Sequence, residues 1–158
     1  MKIRPLTPEW LAKAGSLIDH AFSPSRSELR LFDALHANNR PLHEWVCIHR
    51  GAVIGVLTFS RAYHGMQVCG LHLAPMAEQS PMQGQGIGSE LLRFALRQEA
   101  IAGQAIFVLG PPLFFQRFGF LPCTAPRCPF VKNNKHFLSL HHDGSDPFTI
   151  GYEPEFSR

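Results

Sequence analysis

Hydrophobic and polar positions follow patterns that predict helices in some segments of the chain and strands in others. From Trp10 to Ala21 the apolar residues recur at helical spacing, which indicates an amphipathic helix that Thr7 and Pro8 begin. A second helix is predicted after Ser25, because Glu28 stands where a capping box places a glutamate. Strands are predicted at residues 3–6, 45–49, 52–61, 66–74 and 104–109, with two more near 135–140 and 148–152.

The middle of the chain predicts a strand–helix–strand unit. A strand ends near Ala74, a turn rich in glycine follows, and a helix is predicted from about Gln85 to Ala102. The next strand, at 104–109, is almost entirely apolar, as expected for a central strand that is covered on both faces. Such a unit places its two strands parallel, with a right-handed crossover.

Length and composition narrow the class of protein. The 158 residues predict one domain over 1–158, and 45% hydrophobic with 17% charged residues is typical of a soluble globular protein. Because no apolar run approaches the roughly 20 residues that span a bilayer, we expect a cytoplasmic location and no membrane partner. The net charge of +3 is scattered along the chain, which weakly supports small anionic ligands and argues against nucleic acid.

No metal site is predicted. The four cysteines form no C-x-x-C pair, and two of them, Cys47 and Cys69, lie inside apolar runs where cysteine behaves as a small hydrophobic residue. The run His141-His142-Asp143 precedes Gly144-Ser145-Asp146-Pro147, which is typical of a solvated loop.

The turn that carries Gly84, Gly86 and Gly88 is the most informative segment. It lies between a predicted strand and a predicted helix, so it leaves backbone N–H groups free at a helix N-terminus, where they attract an anion such as a pyrophosphate. The G-x-G-x-G spacing differs from the dinucleotide-binding G-x-G-x-x-G, and the Gly-Lys-Ser/Thr of a P-loop does not occur. A glycine turn without a ligand stays an alternative.

Gln83-x-x-Gly86-x-Gly88 also resembles the acetyl-CoA fingerprint of the GNAT superfamily of N-acetyltransferases, which reads Gln or Arg, two residues, Gly, one residue, Gly or Ala. Two later segments, 107–120 and 151–156, are similar in the same order to the small YhbS-like subgroup. The resemblance implies an α/β fold with a mixed, mostly antiparallel central sheet flanked by helices. It also implies a splayed parallel strand pair at the acetyl-CoA site.

The resemblance implies acetyl-CoA as the acyl-donor cosubstrate and no metal. Pantetheine amides would contact the backbones of Met76 and Glu78, and the pyrophosphate would lie on the N–H groups of residues 84–89. The cofactor-binding residues implied in this way are Met76, Ala77, Glu78, Gln83, Gly84, Gln85, Gly86, Ile87, Gly88, Ser89 and Phe115.

His72 is the candidate catalytic base. Many relatives place a glutamate four residues before the first pantetheine-binding position, and here that position is His72. A histidine with an ordinary pKa near 6.5 suits a base at physiological pH, although a structural histidine is the alternative. The family's usual leaving-group acid is a tyrosine at the position of Phe115, which cannot donate a proton. Tyr63 and Tyr152 are the only tyrosines that could replace it.

The sequence therefore predicts an acetyl-CoA-dependent N-acetyltransferase in which a primary amine attacks the thioester directly in a ternary complex. Because the usual tyrosine is absent, an acyl-CoA-binding regulatory module with little or no catalysis stays an alternative, and so does an interaction protein on the same fold. The acceptor, a small molecule or a protein amine, is not identified, and a homodimer is compatible with the sequence.

Overall fold

The computed structural model describes residues 1–79, 86–132 and 134–157. The helices are α1 Pro8–Ala21, α2 Ser27–Ala37, α3 Ile87–Leu96 and α4 Pro112–Gln116. The strands are β1 Lys2–Pro5, β2 His43–His49, β3 Ala52–His64, β4 Gln67–Glu78, β5 Ile106–Leu109, β6 Leu121–Pro122, β7 Pro126–Arg127, β8 Phe137–Leu140, β9 Phe148–Thr149 and β10 Gly151–Tyr152. None of the described helices has the length and apolar composition needed to cross a membrane.

The main sheet is mixed, as predicted. Its strand order is β1-β2-β3-β4-β5-β8-β6, and β10 pairs with β3. The pairs β1–β2, β2–β3, β5–β8, β6–β8 and β3–β10 are antiparallel. The pair β4–β5 is parallel and joins Leu71 to Ile106 and His72 to Phe107, which confirms the predicted strand–helix–strand unit.

The β2–β3 hairpin turns at the predicted dipeptide. Arg50 and Gly51 have φ angles of 52° and 77°, so both are in the left-handed region that two-residue hairpin turns of type I′ require. The predicted cap of α2, Ser25, lies two residues before the first helical residue, Ser27, and one before the observed N-cap, Arg26. There the Ser25 hydroxyl accepts the Ser27 N–H at 3.3 Å and donates to the Glu28 carboxylate at 3.0 Å.

The chain forms two compact units, of which unit one comprises residues 1–59 and 74–102 and unit two residues 60–73 and 103–157. The prediction of a single domain over 1–158 stays a prediction. In unit one, α1 and α2 pack against a cluster of the sheet that includes Val46 and Val56. A Cβ on Gly55 would lie 3.1 Å from Ile87 and 3.3 Å from Leu91 of α3, so glycine lets this helix approach β3 closely. One core cluster of unit two comprises Ala62, Phe107, Cys123, Cys128, Phe137 and Ile150.

Helix α3 is shorter than predicted, because it ends at Leu96 instead of continuing to Ala102. Beyond the helix, the Gln98 N–H donates a hydrogen bond to the Ala95 carbonyl, and the Ile101 N–H donates one to the Gln98 carbonyl. These tight turns bring Ile101, which is 1% exposed, into the core. Tertiary burial of one isoleucine thus prevails over helix propensity in this segment.

Candidate active site

The end of β4 places two predicted site residues beside the start of α3. Ala77 is buried in the cluster that α1 and α2 cover, and the alternation of the strand turns its neighbours Met76 and Glu78 the other way. A Cβ on Gly88 would lie 3.3 Å from Met76 Cε and 3.5 Å from Glu78 Oε1. Met76, Glu78 and Gly88 are therefore brought together, and their contact with a cofactor stays a prediction.

Two glycines shape the start of α3 for different reasons. Gly86 is the N-cap, and its φ of 80° is the left-handed conformation that favours glycine. Among the described residues, no atom lies within 4 Å of a Cβ on Gly86, so its backbone and not crowding requires the glycine. At Gly88 a Cβ would press on the flexible end of Met76 at 3.3 Å and make ordinary contact with the Glu78 carboxyl group at 3.5 Å, so larger residues crowd this point without being excluded.

An acidic side chain occupies this helix N-terminus. Glu78 Oε2 accepts the Gly88 N–H at 3.1 Å. That N–H belongs to the second residue of α3 and has no partner within the helix, so it favours a negatively charged group. Of the other predicted contacts, Ile87 is buried against Gly55 and Ser89 lies in the first turn of α3, whereas Gln83, Gly84 and Gln85 lie outside the described residues.

In unit two, His72 lies between two aromatic rings. Its ring stacks on Tyr152 at a centroid distance of 3.5 Å and an angle of 7°, and it meets the edge of Phe156 at 4.4 Å. His72 is 4% exposed, and this burial lowers its pKa to about 3. The ordinary pKa assumed from the sequence is therefore wrong for the folded protein, in which the ring is neutral at physiological pH.

Two polar atoms of this stack have no hydrogen-bond partner among the described residues. They are His72 Nδ1 and the Tyr152 hydroxyl, and both are buried. Burial, and to a lesser degree the nearby Cys128 thiol, raises the pKa of Tyr152 well above its usual range. The hydroxyl thus stays protonated and can donate a hydrogen bond at any working pH.

Glu153 is a site residue that the sequence reasoning missed. It is 1% exposed, and its carboxylate accepts the Tyr63 hydroxyl at 2.7 Å and Arg61 Nε at 3.4 Å. Next to it, Tyr152 pairs with Ala62 in the β10–β3 ladder. These bonds hold the C-terminal segment on β3 and so place the Tyr152 ring on His72. Its position between Tyr152 and Pro154, within the motif already noted, was the signal available in the sequence.

Comparison with known proteins identifies the family. The family model described as "Acetyltransferase (GNAT) family" matches residues 9–120. The chain belongs to this family. An uncharacterised N-acetyltransferase of Escherichia coli strain K12, YjhQ, is 34% identical over 120 residues, which cover 70% of this chain and 66% of that protein, just under two thirds of its length.

Two solved GNAT structures share the fold. Escherichia coli YhbS, solved in complex with CoA, superposes with a TM-score of 0.90 at 24% identity and covers 99% of this chain and 92% of its own. A GNAT acetyltransferase of Brucella melitensis, solved in complex with acetyl-CoA, has a TM-score of 0.81 at 27% identity, with coverage of 99% and 97%. The mixed, mostly antiparallel fold predicted from the GNAT resemblance is thereby confirmed.

Phe115 stands where the GNAT resemblance places a tyrosine, and it is buried. It is 5% exposed, its ring lies 5.4 Å from that of Phe120, and a Cβ on Gly110 would lie 2.6 Å from its Cε2. This packing gives the side chain a role in the core, and its predicted contact with a cofactor stays a prediction. Among the described residues, no group of three or more His, Cys, Asp or Glu side chains could hold a metal ion.

Proposed function

We propose that this protein transfers the acetyl group of acetyl-CoA to a primary amine by direct attack in a ternary complex, and that it does so in the cytoplasm. The observation that carries the proposal is the start of α3. There a left-handed glycine opens the helix, and the N–H of Gly88 already holds a carboxylate. A helix N-terminus that holds one anion suits the pyrophosphate of CoA. Family membership and the Brucella relative, solved with acetyl-CoA, support the choice of donor.

In the proposed reaction the amine nitrogen attacks the thioester carbon. The N–C bond forms, the C–S bond breaks, CoA leaves as the thiolate, and the nitrogen loses a proton. A primary amine with a pKa of about 10.4 is mostly protonated at neutral pH, so one proton must leave the nitrogen before the attack and a second leaves it afterwards. We assign acceptance of the first proton to His72, whose neutral ring has a buried Nδ1 without a partner among the described residues, and the second goes to the departing thiolate or to solvent. Its low pKa makes it a weak base in the ligand-free protein, and His72→Phe tests its role.

The first test combines binding with turnover. Acetyl-CoA at about 100 times its Kd is expected to stabilise the native state by about 2.7 kcal/mol, because only the folded protein binds it. Thermal unfolding with and without acetyl-CoA measures this shift, and a panel of primary amines measures CoA release. Binding of acetyl-CoA without turnover would favour an acyl-CoA-binding regulatory module. If acetyl-CoA did not bind, the remaining alternative would be an interaction protein on the same fold.

A second prediction concerns the hydrogen-bond donor to the leaving sulfur, which we assign to the Tyr152 hydroxyl. We expect Tyr152→Phe to lower kcat by about 10²-fold, as for a lost donor to a developing negative charge, with an unchanged Kd for CoA. The variant keeps the ring that stacks on His72 and removes only the unpartnered hydroxyl. Tyr63→Phe is the comparison: its hydroxyl is bonded to Glu153, so its loss should lower the free energy of unfolding and reduce kcat less than Tyr152→Phe does, because Tyr63 acts on Tyr152 only through Glu153.

Phe115, at the position where the family usually has a tyrosine, provides a test in which a hydroxyl is added instead of removed. Because Phe115 is packed against Gly110 and Phe120, Phe115→Tyr is expected to lower stability without accelerating turnover. Suppose that Phe115→Tyr turned over faster than the wild-type protein and that Tyr152→Phe turned over at the wild-type rate. This result would contradict the role of Tyr152 as donor to the leaving sulfur, since it would mean that the wild-type protein lacks a donor.

A further inference from the structure

The start of α3 already holds a negative charge that belongs to the protein itself. Glu78 at the end of β4 extends its carboxylate to the Gly88 N–H, at 3.1 Å. The carboxyl group also lies beside the space above Gly88, with Oε1 and Cδ at 3.5 and 3.6 Å from the position of a Cβ there. Glu78 is half-buried, so its side chain has a path to solvent.

This contact conflicts with the binding of a second anion. Each backbone N–H donates one hydrogen bond in good geometry, and the Gly88 N–H is engaged by the carboxylate. A pyrophosphate that lies on the first turn of α3 would also meet a like charge within hydrogen-bond reach, which is repulsive. For CoA to bind here, its pyrophosphate must therefore displace the Glu78 carboxylate from the helix N-terminus.

We infer that the Glu78 side chain is an internal competitor for the pyrophosphate of CoA and sets the affinity of the protein for its acyl donor. The inference rests on the proposed function. In the absence of CoA the carboxylate caps α3 and stabilises the helix. When CoA binds, the carboxylate leaves Gly88 and turns toward solvent. The backbone contacts expected of Met76 and Glu78 are unaffected, because they do not involve this side chain.

The test is the variant Glu78→Gln, which keeps the size of the side chain and removes its charge. We expect it to lower the Kd for CoA, measured by titration calorimetry, by about tenfold, because the repulsive charge is gone. The ligand-free variant should melt a few degrees lower, because a charge-assisted cap has become a neutral one. The matched control is Glu90→Gln, two residues after Gly88 in the first turn of the same helix.

Glu90 is exposed and pairs with Arg93 at 2.7 Å, so its charge faces solvent instead of Gly88. The control should therefore change the CoA affinity by less than about twofold, as is usual for exposed charges. A tightening of equal size in Glu78→Gln and Glu90→Gln would overturn the inference, because it would reflect net charge and not the occupied N–H group.

Pantetheine, which lacks the pyrophosphate, separates the two parts of the ligand. The gain in Glu78→Gln should be present for CoA and absent for pantetheine, and it should shrink as salt screens the repulsion. Equal CoA affinity in the wild-type protein and Glu78→Gln would overturn the competitor role and leave the proposed function intact. A wild-type protein and variants that all fail to bind CoA would overturn both, since no pyrophosphate would then displace Glu78.

Discussion

Replacing Gly88 with glutamate is expected to abolish CoA binding while α3 stays folded. The new carboxylate would stand at the helix N-terminus next to Glu78, whose Oε1 lies 3.5 Å from the position of the added Cβ. Repulsion between unit charges about 4 Å apart is about 4 kcal/mol at the effective dielectric of a protein surface, which corresponds to a loss of about 10³-fold in affinity. Titration calorimetry with CoA measures the loss.

The fold is expected to tolerate this substitution. Gly88 is not in the left-handed region, and the described atoms nearest to a Cβ there are the flexible end of Met76 at 3.3 Å and the Glu78 carboxyl group. Replacing glycine within a helix also gains about 0.5–1 kcal/mol in helix propensity. Circular dichroism and thermal unfolding should therefore report a folded variant.

Two further variants separate charge from bulk at Gly88. Gly88→Gln adds the same bulk without charge and should lose much less affinity than Gly88→Glu, and Gly88→Ala should bind nearly as the wild-type protein does. A Gly88→Glu variant that binds CoA normally would contradict the assignment of the pyrophosphate to the start of α3.

Replacing His72 with phenylalanine is expected to lower turnover by about 10²-fold or more, as for a lost general base. The phenyl ring retains the stack between Tyr152 and Phe156, so folding and CoA affinity should survive. His72→Ala would lower turnover too, but it would leave a cavity in the stack and destabilise the protein by several kcal/mol, as large-to-small changes do, on the order of 2–5 kcal/mol. Steady-state kinetics on an accepted amine make the comparison.

The pH dependence of stability tests the burial of His72 independently of catalysis. Its folded pKa of about 3 lies below the ordinary value of 6.5, so between these values the unfolded chain binds more protons. His72 therefore leaves stability unchanged above pH 6.5, and below it the free energy of unfolding falls as pH falls to about 3. The slope is about 1.4 kcal/mol per pH unit. Urea unfolding at a series of pH values should show a steeper slope in the wild-type protein than in His72→Phe, and the difference between the two slopes reports His72.

Above pH 6.5 the pH profile of turnover should show no change that comes from titration of His72, because its ring is already neutral there. Any rise in rate toward high pH then reports the acceptor amine. Normal turnover by His72→Phe would return His72 to a structural role, with the amine losing its proton to solvent. If activity changed near pH 6.5 in the wild-type protein but not in His72→Phe, bound substrates would have returned the pKa of His72 to its ordinary value.

The sequence alone determined the elements and the family. Local rules were sufficient where a signal lies within a few residues: the Arg50-Gly51 hairpin turn, the parallel pair around the glycine turn, and the GNAT motif ending in Gly86 and Gly88. Such signals depend on backbone conformation and short-range periodicity, which neighbouring residues decide. The prediction for the end of α3 was wrong because burial of Ile101, a tertiary effect, decides it.

Only the tertiary structure decided the chemistry of the candidate site. The Glu153 carboxylate meets the Tyr63 hydroxyl across 90 residues of sequence, and that bond helps to hold Tyr152 on His72. Likewise, the contact of Glu78 with Gly88 exists because the fold brings the end of β4 to the start of α3. The pKa of a histidine and the partner of a carboxylate depend on what surrounds them in space. No local pattern encodes those surroundings, so the sequence could name His72 and Glu78 but not the state in which the fold holds them.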